Sequence, residues 1–192
     1  MVRQLNLGWT GAATMIKLMF IVLSFTISLL TSVFAQTTPA GAGAPGCGES
    51  NAKFDVKTEK SQHPAPTDAG RALVYFIEND SQFDSFPSPT TRIGVDGEWV
   101  GATHGNSYFY SSVNPGVHHL CASWQKAVLA LQGRQTAAAH FTAEAGGVYY
   151  FEIKNTWHRD HGAGDISLRP LDSDEGQLLA NKFSFSTFQP KK

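Results

Sequence analysis

The stretch TRIGVDGEWVGATHGNSYFYSSVNPGVHHLCASW, residues 91–124, is the part of the chain from which the fold is read. Short β-prone runs lie between two turn signals, Asp96-Gly97 and Asn114-Pro115-Gly116. A two-residue type I′ turn needs positive φ at both central positions, which Asp tolerates and Gly adopts freely. Residues 93–95 are therefore expected to pair with residues 98–100. Val95 then faces Glu98, Ile93 faces Val100, and Trp99 lies opposite Gly94, covering backbone that has no side chain of its own. At Pro115-Gly116 the proline presets φ and the glycine supplies a positive one, which predicts a second hairpin of residues 107–113 against 117–124. Alternation in its second arm puts Leu120 and Trp124 toward a core and His119 on the side of Cys121.

Working outward, residues 72–77 (ALVYFI) are continuously apolar and β-prone, as in a central strand covered on both faces. Residues 136–143 and 148–154, joined by Glu144-Ala145-Gly146-Gly147, read as a third hairpin. Residues 157–165 (WHRDHGAGD) read as a loop, and residues 166–171 as a last strand. Asp172 and Glu175 have capping-box spacing and open one helix over 173–182, with Leu178 and Leu179 available to pack on the sheet. The class is all-β with one short C-terminal helix.

Toward the N-terminus, residues 18–30 (LMFIVLSFTISLL) form an apolar run behind Lys17, and Val33-Phe34-Ala35 is an acceptable cleavage site. Residues 1–35 therefore read as a secretion signal, with Met15 as an alternative start. If the segment is kept, it is an anchor and the one link to a membrane. Residues 36–70 read as a flexible leader and irregular entry segment, residues 71–188 as the folded domain, and residues 189–192 as a frayed tail. Two basic residues and no acidic ones lie in residues 1–35, so the remaining 157 carry a formal charge of −3. Such a chain lacks the basic footprint that phosphate backbones require, so nucleic acid is not an expected partner. In an oxidising compartment Cys47 and Cys121 are expected to pair, the alternative being a buried and a free thiol.

The run Val95-Asp96-Gly97, Val100-Gly101, Thr103 and then Pro115-Gly116 with His118 resembles the PEGA-type β-sandwich repeat of bacterial surface proteins. A longer set of motifs is Ala72-Leu73-Val74-Tyr75, Val95-Asp96-Gly97, Asn106-Ser107-Tyr108, Pro115-Gly116 with residues 118–122 (HHLCA), and Gly147 with Tyr149-Tyr150-Phe151. In this order they resemble the uncharacterised bacterial family DUF2846, over roughly residues 71–179. The resemblance implies an exported, single antiparallel β-sandwich, and it brings no catalytic residues with it.

The chemistry in the residues is sparse. There is no G-x-S-x-G elbow, no H-E-x-x-H and no phosphate-cradling glycine loop. No catalytic residue, cofactor or metal ligand set is expected. His158 and His161 lie in a loop without fixed geometry, and adjacent His118 and His119 point to opposite faces of a strand. The expected working surface is Tyr108 and Tyr110, whose parity opposes Phe109, together with Trp157, His158 and His161, which combine aromatic and titratable groups. Three functions fit. The first is a non-catalytic exported sandwich binding a cell-envelope component or a protein, the second a glycan-binding module, and the third a hydrolase with a site assembled from scattered residues.

Overall fold

The computed structural model describes residues 46–191 except 62, 64, 66–67, 84–87, 126–132, 159 and 161–162. The expected signal, most of the expected leader and His161 thus lie outside the described residues. The elements are β1 (Phe54–Glu59), β2 (Ala72–Gln82), β3 (Thr90–Val95), β4 (Glu98–His104), β5 (Ser107–Val113), β6 (Gly116–Trp124), β7 (Thr136–Ala143), β8 (Val148–His158), β9 (Ala163–Leu171), α1 (Ser173–Lys182) and β10 (Ser184–Pro190). They form a two-sheet β-sandwich, a six-stranded sheet β1-β10-β5-β2-β8-β9 against a four-stranded sheet β4-β3-β6-β7. Pairing is mostly antiparallel, but β2 runs parallel to β8 and β10 parallel to β5. Among the described residues, no helix is long and apolar enough to cross a membrane.

Period-two alternation builds the core. Val74 and Phe76 of β2, Phe109 of β5, and Phe151 and Ile153 of β8 meet Ile93 of β3 and Leu120, Ala122 and Trp124 of β6 between the sheets. The turn at 96–97 takes the expected form, with φ of 53° at Asp96 and 90° at Gly97. Val95 pairs with Glu98 and Gly94 with Trp99, but Ile93 then pairs with Gly101, not Val100, because a bulge intervenes. The shift serves the core. A Cβ at Gly101 would lie 2.6 Å from Phe109 Cζ and 2.7 Å from Phe188 Cζ, so the bulge brings the one residue without a side chain beneath these rings.

The other two expected hairpins are corners of the sandwich. At 114–116 the chain leaves the six-stranded sheet (β5) for the four-stranded one (β6), and at 144–147 it returns from β7 to β8. Among the described residues, the consecutive strands that pair antiparallel are β3–β4, β6–β7 and β8–β9. Two expected irregular regions are also strands. Phe54 and Val56 open β1, which pairs with β10 from Phe54↔Pro190 to Glu59↔Phe185, with Phe54 edge-on to Phe188 at 6.0 Å. The tail is held as far as Lys191, whose N–H donates to Lys53 O at 2.8 Å.

Cys47 and Cys121 are joined. The bridge lays residues 46–52 over the outer face of the four-stranded sheet. Trp99 Nε1 donates to Glu49 O (2.7 Å), and Arg92 Nη1 donates to Ser50 O (2.8 Å) and Ala52 O (2.7 Å). The Arg92 guanidinium also stands 4.5 Å above the Trp99 ring. Trp99 thus covers Gly94 as expected, but it shares the space with the Gly46 carbonyl.

Asp172 caps α1, its Oδ1 accepting from Asp174 N–H and Glu175 N–H at 2.9 Å each. Leu179 packs inward, whereas Leu178 is 65% exposed. Gly176 sits directly on Tyr150 Cγ, with no room for a Cβ. An exposed helical Gly→Ala change would stabilise by up to about 1 kcal/mol. At this position the sign is expected to invert: Gly176→Ala should lower the urea midpoint and cost about 1–3 kcal/mol through forced overpacking.

Candidate functional site

The outer face of the six-stranded sheet carries aromatics where a solvated sheet would be polar. Because β2 is flanked by β5 and β8, register alone lines up Tyr110, Tyr75 and Tyr150 as direct cross-strand partners, with Tyr108 two pairs further along β5 opposite Ile77. The Tyr75 ring is stacked on Tyr150 at 4.9 Å and lies 5.6 Å from Tyr110 and 6.1 Å from Tyr108. Phe185 of β10 meets Tyr108 at 5.4 Å, and His63 stacks on Phe185 at 4.1 Å. Helix α1 crosses this face, leaving a cavity of about 270 Å³ lined by His63, Tyr75, Tyr108, Tyr150, Gln177 and Asn181 among others.

The three phenols that line the cavity, Tyr75, Tyr108 and Tyr150, are kept neutral. Burial, reinforced by Tyr150, Tyr108 and Tyr110, pushes the Tyr75 hydroxyl up to about 12. Burial also raises Tyr108, against the opposing His63 backbone bond, and it raises Tyr150. The cavity offers ring faces, phenol hydroxyls and two carboxamides, which are groups for binding a neutral, partly apolar ligand.

The expected surface does not come together as one. Tyr108 and Tyr110 stand on this face, although Tyr108 is only 2% exposed. Trp157 is not on a loop: β8 runs on through His158, and the Trp157 ring packs against the core with its edge to Phe83 at 5.9 Å. His158 Nε2 pairs with Asp165 Oδ2 at 3.2 Å across the β8–β9 hairpin. Eight residues of strand separate His158 from Tyr150, about 26 Å at 3.3 Å per residue. Tyr75, Tyr150, His63, Gln177 and Asn181 complete the cavity and were not singled out from the sequence. The alternation of Tyr75 within 72–77 was the available signal for the first of them.

Inside the sandwich lies a second polar group. β2 carries one extra residue against β8 between the pairs Asn79↔Lys154 and Gln82↔Thr156, beside Asp80. Glu78, Asn155, Thr91 and Thr103 are fully buried and Asp80 is 8% exposed. Asn155 Nδ2 donates to Glu78 Oε1 (2.8 Å) and Asp80 Oδ1 (2.7 Å), and Asn155 Oδ1 accepts from Trp124 Nε1 (2.9 Å). Thr91 Oγ1 donates to Glu78 Oε1 at 3.3 Å. Glu78 Oε2, Asp80 Oδ2 and Thr103 Oγ1 have no partner among the described residues.

Burial, then the charge of Asp80, holds the Glu78 carboxyl well above the ordinary carboxylate range. Burial also raises Asp80, opposed by the Asn155 and Glu78 hydrogen bonds and by the charge of His104. A proton on Glu78 directed at Asp80 would supply the donor that the Asp80 Oδ2 lacks. An acid whose pKa is raised by folding stabilises the fold below its unfolded value and loses that contribution as pH rises toward the folded value. The wild type should therefore weaken from the ordinary carboxylate range upward. Glu78→Gln keeps the donor, so melting curves from about pH 5 to about pH 8 should show a smaller decline for the variant.

A family model described as "Protein of unknown function (DUF2846)" matches residues 68–165. No curated protein matches the chain. The matched span holds the three tyrosines that line the cavity, Tyr75, Tyr108 and Tyr150, and the neighbouring Tyr110, whereas His63, Gln177 and Asn181 lie outside it.

Proposed function

The chain belongs to the DUF2846 family, whose function is unknown, and from that premise we propose a non-catalytic β-sandwich that binds a cell-envelope component or a protein partner outside the cytoplasm. The observation that carries this reading is the tyrosine face. Four phenol rings gathered outside the main core, three of them lining a cavity left by the helix, favour recognition over packing alone. The Cys47–Cys121 bridge supports an oxidising compartment. The buried acids do not argue for catalysis, because Asn155 and Thr91 hold them between the sheets and away from this cavity.

A glycan is the second reading. It is favoured by ring faces beside the Gln177 and Asn181 carboxamides, with no Lys, Arg, Asp or Glu among the described lining residues.

Retention of purified protein on isolated cell envelopes tests both readings. Tyr110→Ala and Gln177→Ala together should lower retention at least about tenfold, a loss of about 1.4 kcal/mol, with the circular dichroism spectrum unchanged. Undiminished retention of the folded variant rejects the assignment. Release of wild-type protein by soluble envelope polysaccharide selects the glycan reading.

A further inference from the structure

We propose that His119 and His140 form a surface site for a divalent transition-metal ion of the zinc and copper class. The two residues are direct partners in the antiparallel β6–β7 pair. In β6 the neighbouring Leu120 is fully buried, which turns His119 to the outer face; in β7 Ala137, Ala139 and Phe141 pack inward, which turns His140 to the same face. Both histidines are exposed, and their ring centroids are 6.4 Å apart at 46°.

That spacing is close to what chelation needs. With metal–nitrogen bonds of about 2.05 Å, each ring centre lies about 3.2 Å from the ion, so two rings sharing it stand about 5.2 Å apart at a tetrahedral angle and about 6.4 Å apart in line. A side-chain rotation closing about 1 Å brings both nitrogens onto one ion. The flanking positions on this face, Ala138 and Thr142 of β7, are small and exposed. Asp96 holds the backbone of His119 from both directions: its Oδ1 accepts from His119 N–H at 2.8 Å, and its own N–H donates to His119 O at 2.8 Å. One of the two ligands is therefore mounted on a fixed strand.

Imidazole nitrogen suits zinc, copper and nickel and is a poor match for magnesium or calcium. Among the described residues no three His, Cys, Asp or Glu gather as a metal site, so the protein supplies two ligands and water fills the rest of the shell. β7 is an edge strand of its sheet, which leaves these positions accessible. The site is on the four-stranded sheet and the tyrosine cavity on the six-stranded one, so this inference stands apart from the proposed function.

The test is calorimetric titration of ZnCl₂, and separately CuSO₄, into the untagged full chain. One saturable equivalent is expected in the micromolar range. His119→Ala and His140→Ala should each weaken it at least tenfold, and His63→Ala should leave it unchanged. His119→Gln and His140→Gln keep a polar surface residue and should show the same loss, with nitrogen hyperfine splitting from the copper(II) complex disappearing in parallel. Binding that survives either histidine's replacement, or no saturable binding in that range, overturns the proposal.

Discussion

Asn155→Ala is expected to lower the unfolding free energy by about 3–5 kcal/mol, the cost of breaking a buried charged hydrogen-bond group by removing one member. The side chain satisfies three groups at once: Glu78 Oε1 and Asp80 Oδ1 through its amide nitrogen, and Trp124 Nε1 through its oxygen. Alanine takes the amide donor from both buried carboxyls, leaving Glu78 Oε1 with Thr91 alone, leaves the indole N–H without its acceptor, and opens a cavity between the sheets. Urea denaturation should show a large fall in midpoint at nearly unchanged slope. A loss below about 1 kcal/mol would mean that Asn155 is incidental to the cluster. Asn155→Asp separates geometry from charge. It retains the shape but sets a third carboxyl beside two acids, so its penalty should grow with pH more steeply than that of the alanine variant.

Cys47→Ser should cost about 4 kcal/mol in the chain-entropy model, because the bridge joins residues 74 apart. Both cysteines are used. Without the bridge, residues 46–52 keep the Arg92 and Trp99 hydrogen bonds but lose the covalent point that holds them on the sheet. Urea unfolding of Cys47→Ser beside oxidised wild type measures the loss. Limited proteolysis should cut the variant first within residues 46–52. Equal stability of the two proteins would show that the bridge adds nothing beyond the noncovalent contacts.

Local signals were read correctly where the physics is local. The Asp96-Gly97 turn, the Asp172 cap and the inward face of Leu120 and Trp124 each depend on a few adjacent residues. The corners at 114–116 and 144–147 were read as hairpins because a glycine turn has the same composition whether the next strand pairs with the last or crosses to the facing sheet. That choice is made by distant partners. It hid both the Tyr110, Tyr75 and Tyr150 row and the opposition of His119 and His140, which exist only once β5 is beside β2 and β6 beside β7. The bulge at Val100 escaped for a related reason, since Phe109 and Phe188, which press on Gly101, come from the other sheet. Tyr108 and Tyr110 could be placed by alternation, but Trp157 could not, because nothing in residues 157–165 shows that β8 continues through His158.

The disulfide also decides how the domain bears mechanical load. β1 and β10 lie antiparallel, with Phe54 beside Pro190, so tension between the start of one and the end of the other would peel their hydrogen bonds in succession, a weak arrangement. A pull on the chain ahead of Cys47 never reaches that zipper from its own side. It passes through the sulfur atoms to Cys121 in the middle of β6, a strand paired on both sides by β3 and β7. The load then falls on a strand held by two ladders, and β1 lies off that path, between its bridge and its sheet.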